Sequence, residues 1–164
     1  EAARHRRRLR FEATVGAGTL RLPSDAGLAR DAGATFAVTP GYTRELGAAC
    51  RAAGLPLLPG VATASELLLA FADGYRFCKF FPAVAAGGVP VLKALAGPFP
   101  DVSFCPTGGI TEASAPEFLA LASVPVCGGT WLTPAELVTA RDWTGITELA
   151  RRAAALGREG TSCS

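Results

Sequence analysis

Lys79 stands in the run Phe77-Cys78-Lys79-Phe80-Phe81-Pro82, an amine in the middle of a strand-like apolar stretch. Only Lys79 and Lys93 among the sixteen basic residues are lysines; the other fourteen are arginines. Arginine keeps its proton, whereas a lysine stripped of water gives its proton up and becomes a nucleophile. That is the setting of a lysine that forms a Schiff base with a carbonyl. A plainer reading is a strand-end lysine whose head reaches water or pairs with a carboxylate. Strand alternation places Phe77, Lys79 and Phe81 on one face and Cys78 and Phe80 on the other. An inward Lys79 would share its cavity with Phe77 and Phe81, which would exclude water and favour the neutral amine. Lys93, in the helical Val91-Leu92-Lys93-Ala94-Leu95, reads as a helix-surface residue.

Two glycine pairs have the composition of anion-binding turns: Pro106-Thr107-Gly108-Gly109-Ile110 and Cys127-Gly128-Gly129-Thr130-Trp131. Glycines at a strand end let backbone N–H groups approach an oxyanion, and a following helix adds its N-terminal partial charge. A single pair can be no more than a tight turn, but two in consecutive units point to phosphate. Neither G-x-x-x-x-G-K-[ST] nor G-x-G-x-x-G occurs, which disfavours the nucleotide sites built on them. Hydroxyls at strand ends (Thr19, Thr39, Thr107, Thr130) could converge on a small oxygen-rich ligand. Each taken singly also fits a helix cap or a strand packing position.

The elements that must position these groups are legible in the pattern. Short apolar or β-branched runs begin near Thr14, Phe36, Leu57, Phe77, Val102 and Val124, about twenty to twenty-six residues apart. Between them lie stretches of helical periodicity: Pro23–Ala32, Thr43–Ala53, Ser65–Ala72, Val89–Ala96, Ala115–Leu121 and Thr144–Leu156. Strand followed by helix at this period predicts parallel βα units. Gly16-Ala17-Gly18-Thr19, Thr39-Pro40-Gly41, Pro59-Gly60, Phe81-Pro82 and the two glycine pairs each close a strand ahead of a helix. In a parallel barrel such turns form the face that carries the chemistry. Six βα units are countable; an open doubly wound sheet uses six, a closed (β/α)8 barrel eight.

Length and composition narrow the function. A chain of 164 residues, 49% hydrophobic and 18% charged, is globular and of single-domain size. The net charge of +2 conceals an asymmetry. Five arginines against Glu1 make the first ten residues +4, which leaves −2 for the rest. The folded body therefore carries no basic stripe for nucleic acid, and the arginine cluster reads as the solvated face of a terminal helix. Five cysteines without a C-x-x-C pair argue against a disulfide framework or a zinc site and for a reducing cytoplasm. His5 is the one histidine, so neither a histidine triad nor a multi-histidine metal site can be assembled. No apolar run reaches membrane-spanning length and no leader is visible. The absence of methionine predicts a chain that starts inside a longer product or is processed.

Taken in order, several strings resemble one family. They are Val15-Gly16-Ala17-Gly18-Thr19, Phe36-Ala37-Val38-Thr39-Pro40-Gly41, Pro56-Leu57-Leu58-Pro59-Gly60-Val61 and Lys79-Phe80-Phe81-Pro82-Ala83. They continue through Gly97-Pro98-Phe99, Phe104-Cys105-Pro106-Thr107-Gly108-Gly109-Ile110 and Gly128-Gly129-Thr130-Trp131-Leu132. Together they resemble the 2-keto-3-deoxy-6-phosphogluconate aldolases, a bifunctional family that also cleaves 4-hydroxy-2-oxoglutarate. The resemblance covers nearly all of Thr14 to Leu156.

The resemblance implies an α/β (β/α)8 TIM barrel, here one domain over residues 1–164 with about six βα units and the first two strands missing. Residues 1–12 would then end a helix that precedes the first visible strand. It implies a class I aldolase, a homotrimer in the cytoplasm that needs no cofactor and no metal and binds neither nucleic acid nor membrane. Its small-molecule partners would be a phosphosugar acid and pyruvate. Lys79 falls on the Schiff-base lysine. Thr19, Pro40, Phe81 and Thr107 fall on the pyruvate pocket, and Gly108, Gly109, Gly129 and Thr130 on the phosphate loops. Thr130 stands where the family often has serine, a swap that keeps the hydroxyl. The family's general-base glutamate and a carboxylate-binding arginine belong to the second strand, and neither has a counterpart in this chain. Glu12, Glu45 and Glu66 are poor substitutes, the first at the wrong end of a strand and the others at helix starts. The alternative is a catalytically impaired fragment that only binds a phosphate ligand. Another phosphate-handling barrel enzyme, using Lys79 as an electrostatic anchor, is a third reading.

Overall fold

The computed structural model describes residues 14–156 of the chain. The expected helix end over residues 1–12, with His5 and Glu12, and also Cys163, lie outside the described residues. The backbone divides into two units, Glu1–Phe81 and Pro82–Ser164.

In the first unit strands and helices alternate: β1 (Gly16–Gly18), α1 (Ser24–Asp31), β2 (Phe36–Val38), α2 (Arg44–Ala52), β3 (Leu57–Leu58), β4 (Gly60–Val61), α3 (Ala64–Ala72) and β5 (Phe77–Phe80). The pairings are parallel, with Gly18 opposite Val38, Val38 opposite Leu58, and Gly60 opposite Lys79. The expected strand near Leu57 is thus two short pieces. Pro59 has no N–H to continue a ladder, so β3 pairs with β2 and β4 with β5. The Pro59 carbonyl still accepts from the Lys79 N–H at 2.8 Å. Helix starts follow local chemistry. Thr43 accepts from the Leu46 N–H at 3.2 Å, and Thr63 and Glu66 form a reciprocal capping box. Small residues let helices and strands approach closely in the core, built from Leu20, Ala26, Ala29, Ala34, Ala37, Cys50 and Leu55.

The second unit contains α4 (Gly88–Ala96), β6 (Ser103–Pro106), α5 (Ala115–Leu119), a 3-10 turn (Thr130–Leu132), α6 (Ala135–Ala140) and α7 (Trp143–Ala155). The expected strand near Val124 does not form a ladder. Pro125 removes a donor from that run, and its pairing with the end of β6 shrinks to a single parallel bridge, Thr107 to Gly128. Helix α6 was not anticipated. Its signals were present: Pro134 at its entry, Glu136 in its first turn, and a left-handed Arg141 (φ 55°) closing it. Among the described residues no helix is long and apolar enough to cross a membrane.

Candidate active site

Lys79 is the third residue of β5, and the expected alternation holds there. Cys78 and Phe80 are fully buried, while Lys79 is half-buried and Phe77 is 40% exposed. Phe77 therefore does not seal the lysine's face. Phe81 does lie against it: the Lys79 Nζ sits 4.3 Å from the centroid of the Phe81 ring. The backbone is pinned on both sides of the amine, Lys79 N–H to the Pro59 carbonyl and Phe81 N–H to that of Val61 at 3.1 Å.

Three turns of the first unit line up at the same end of the strands. Gly60 is paired with Lys79, and a Cβ on Gly60 would strike the backbone of Pro40 and come within 2.7 Å of the Gly41 nitrogen. The Gly60 N–H donates to the Thr39 hydroxyl at 3.2 Å, and Thr39 is fully buried. Thr39 therefore spends its hydroxyl on holding the β4 backbone against the Pro40 turn. Thr19 follows β1 and is exposed; its neighbour Leu20 donates to the Val38 carbonyl at 3.1 Å. Thr19 and Pro40 thus follow the ends of β1 and β2, while Gly60 and Lys79 pair across β4 and β5.

The remaining candidates lie in the second unit, around the bridge between Thr107 and Gly128. Thr107 donates to the Cys105 carbonyl at 3.3 Å, and a Cβ on Gly128 would meet its hydroxyl oxygen at 2.8 Å. Gly108 and Gly109 have φ of 102° and 78°, the left-handed region that glycine enters without strain. Gly129 has no room for a side chain because the Trp131 ring occupies that space. Thr130 opens the 3-10 turn and is exposed. Glu112, just beyond the first glycine pair, accepts a bidentate contact from Arg152 of α7 at 2.9 and 3.2 Å. The Arg152 guanidinium holds the Glu112 carboxyl below its ordinary range.

Neither suggested carboxylate is placed as a free base. Glu66 accepts the Ala62 and Thr63 N–H groups at 2.7 and 3.0 Å, and Glu45 sits in the first turn of α2. Buried thiols are likewise poor nucleophiles: burial pushes the Cys78 thiol up to about 11 and raises Cys50 and Cys127 as well. The Gly60 approach was missed in the sequence, although a glycine inside a strand-like run is a recognised mark of close backbone contact.

A parallel α/β chain with an amine on one strand and glycine turns at the ends of others has the frame of a small-molecule enzyme. A model of the KDPG and KHG aldolase family matches residues 1–149. The KHG/KDPG aldolase of Escherichia coli K12 is 50% identical over 142 residues, 87% of this chain and 67% of that protein. The crystal structure of KDPG aldolase from Legionella pneumophila, with pyruvate captured as a covalent carbinolamine, superposes with a TM-score of 0.89. It is 44% identical and covers 93% of this chain and 74% of its own. The aldolase of Zymomonas mobilis ZM4, solved with 3-phosphoglycerate, gives 0.83 at 42% identity over 92% of this chain and 70% of that one. The chain belongs to the KDPG and KHG aldolase family, enzymes of the carbon–carbon lyase class. It spans about two thirds of the length of the curated relative.

Proposed function

We propose that this chain is an aldolase that cleaves 2-keto-3-deoxy-6-phosphogluconate to pyruvate and glyceraldehyde 3-phosphate through a Schiff base on Lys79. The observation that carries the reading is the placement of the Lys79 amine, on a strand pinned at both neighbouring amides and 4.3 Å from the Phe81 ring. Family membership and the covalent pyruvate adduct of the Legionella relative support it. The neutral Lys79 amine attacks the C2 ketone, and loss of water gives a protonated imine. A base takes the proton of the C4 hydroxyl, the C3–C4 bond breaks, and its electron pair moves into the imine. Glyceraldehyde 3-phosphate leaves and a pyruvate enamine remains. Protonation at C3 and hydrolysis then release pyruvate and restore the amine.

Pro40, Phe81, Thr19 and Thr107 would contact the pyruvate moiety, and Gly108, Gly109, Gly129 and Thr130 the phosphate. The same lysine chemistry would split 4-hydroxy-2-oxoglutarate into pyruvate and glyoxylate. The reading extends to six units of a (β/α)8 barrel in a single domain, to a homotrimer, and to a cytoplasmic setting that suits the buried thiols Cys50 and Cys78.

The test is incubation with pyruvate and sodium borohydride, followed by peptide mass mapping. The expected result is a reduced pyruvyl adduct on Lys79. A folded sample without the adduct would overturn the proposal and leave the impaired fragment as the description of this chain.

A further inference from the structure

The turn that follows β5 does more than lead into α4. The Ala83 N–H donates to the Thr107 carbonyl at 2.8 Å, and the Val84 N–H to the Gly108 carbonyl at 3.1 Å. A trans peptide holds its N–H opposite its C=O. Fixing the Gly108 carbonyl therefore also fixes the direction of the Gly109 N–H. Among the described residues that N–H has no acceptor in the backbone or in a side chain. The Val84 side chain completes the clamp. A Cβ added to Gly109 would lie 2.9 Å from the Val84 Cβ and 3.0 Å from its Cγ2, so the valine covers the face of the glycine. Val84 is 50% exposed. Its methyl groups are spent on this loop and contribute little to the core, which is an unusual use of a half-exposed valine.

We infer that Val84 is a positioning residue for phosphate recognition: it holds the left-handed Gly108–Gly109 backbone so that the Gly109 N–H is aimed outward at the anion. The inference rests on the reading of this turn as a phosphate loop. A glycine pair with positive φ at both residues has many accessible states, and rigid donors bind an anion better than donors that must first be ordered. Val84 supplies the order through one backbone hydrogen bond and one steric cover, without touching the ligand.

The test compares the full chain with Val84→Ala, Val84→Thr and Gly109→Ala by calorimetric titration of 3-phosphoglycerate, with glycerate as the unphosphorylated control. Val84→Ala is expected to weaken 3-phosphoglycerate about 3- to 10-fold, the loss of roughly one well-aimed hydrogen bond. Val84→Thr, which keeps the branched Cβ, should stay within about twofold of the parent. Glycerate binding and the borohydride-trapped adduct on Lys79 should be the same in the parent and both Val84 variants. Unchanged affinity in Val84→Ala beside a weakened Gly109→Ala would overturn the role of Val84 and leave the phosphate loop standing. Equal losses in Val84→Ala and Val84→Thr, with a lowered melting temperature, would make the residue merely structural and overturn it as well. If the parent does not bind 3-phosphoglycerate, or Gly109→Ala binds it unchanged, the phosphate reading of the loop falls and the inference with it. The Lys79 adduct decides the aldolase reading separately.

Discussion

The Lys79 Nζ lies 4.3 Å from the centre of the Phe81 ring, two residues further along the same chain. An aromatic face attracts a cation. The arrangement would thus favour the protonated imine that replaces the amine in the proposed reaction. That matters for catalysis, because the imine draws in electrons only while it is charged. Phe81→Leu keeps the apolar bulk and removes the π face. The rate of pyruvate adduct formation, trapped with borohydride, should fall about 3- to 10-fold. Lys79→Arg should abolish the adduct altogether. An unaltered rate in Phe81→Leu would reduce the ring to simple packing.

Gly60 is where the Pro40 turn comes closest to the lysine's neighbouring strand. Its missing Cβ would collide with the backbone of Pro40, which cannot swing aside as a side chain would. Gly60→Ala should destabilise the protein by about 3 kcal/mol, measured by urea denaturation. A variant within a few tenths of the parent would show that the turn can yield.

The capping box of α3 separates a structural carboxylate from a catalytic one. Thr63→Ala and Glu66→Ala should each cost about 1 kcal/mol of stability, since each removes an acceptor for N–H groups at the helix start. Neither should change the yield of the Lys79 adduct. A collapse of adduct formation in Glu66→Gln, with stability intact, would identify Glu66 as a participant after all.

Tyr42 gives the protein an alkaline limit. Burial, together with its hydrogen bond to the Asp73 carboxylate at 2.8 Å, pushes its phenol from 10.0 up to about 12. Below pH 10 both folded and unfolded chains keep the proton. Between pH 10 and 12 the unfolded chain loses it first, so the folded state binds more protons and stability falls as pH rises. Tyr42→Phe should be about 1 kcal/mol less stable at neutral pH through the lost hydrogen bond. It should also show a shallower decline above pH 10. A residual slope is expected from Tyr75, whose phenol burial also raises. Parallel pH profiles for the two proteins would refute this assignment.

The sequence alone determined the alternation of strand and helix, the face on which Lys79 lies, and the glycine turns that could receive an anion. These are local matters. Periodicity 2 or 3.6 sets which residues share a face, and glycine and proline act within one or two residues of their position. The helices over Ser24–Asp31, Arg44–Ala52 and Gly88–Ala96 fall within a residue or two of the expected stretches for that reason.

Only the tertiary structure decided what each candidate side chain is used for. Thr39 and Thr107 look alike in sequence, yet Thr39 is buried against the Gly60 N–H while Thr107 stands at the bridge to Gly128. Phe77 and Phe81 both flank Lys79, yet one is 40% exposed and the other lies against the amine. Val84, with nothing in its neighbourhood to mark it, proved to cover Gly109. Apart from the contact of Lys79 with Phe81, these relationships join residues some twenty to twenty-five positions apart, and they depend on strand register and on the close approach of backbones. A hydrophobic pattern constrains which face is buried, but it does not say which atom on that face meets which.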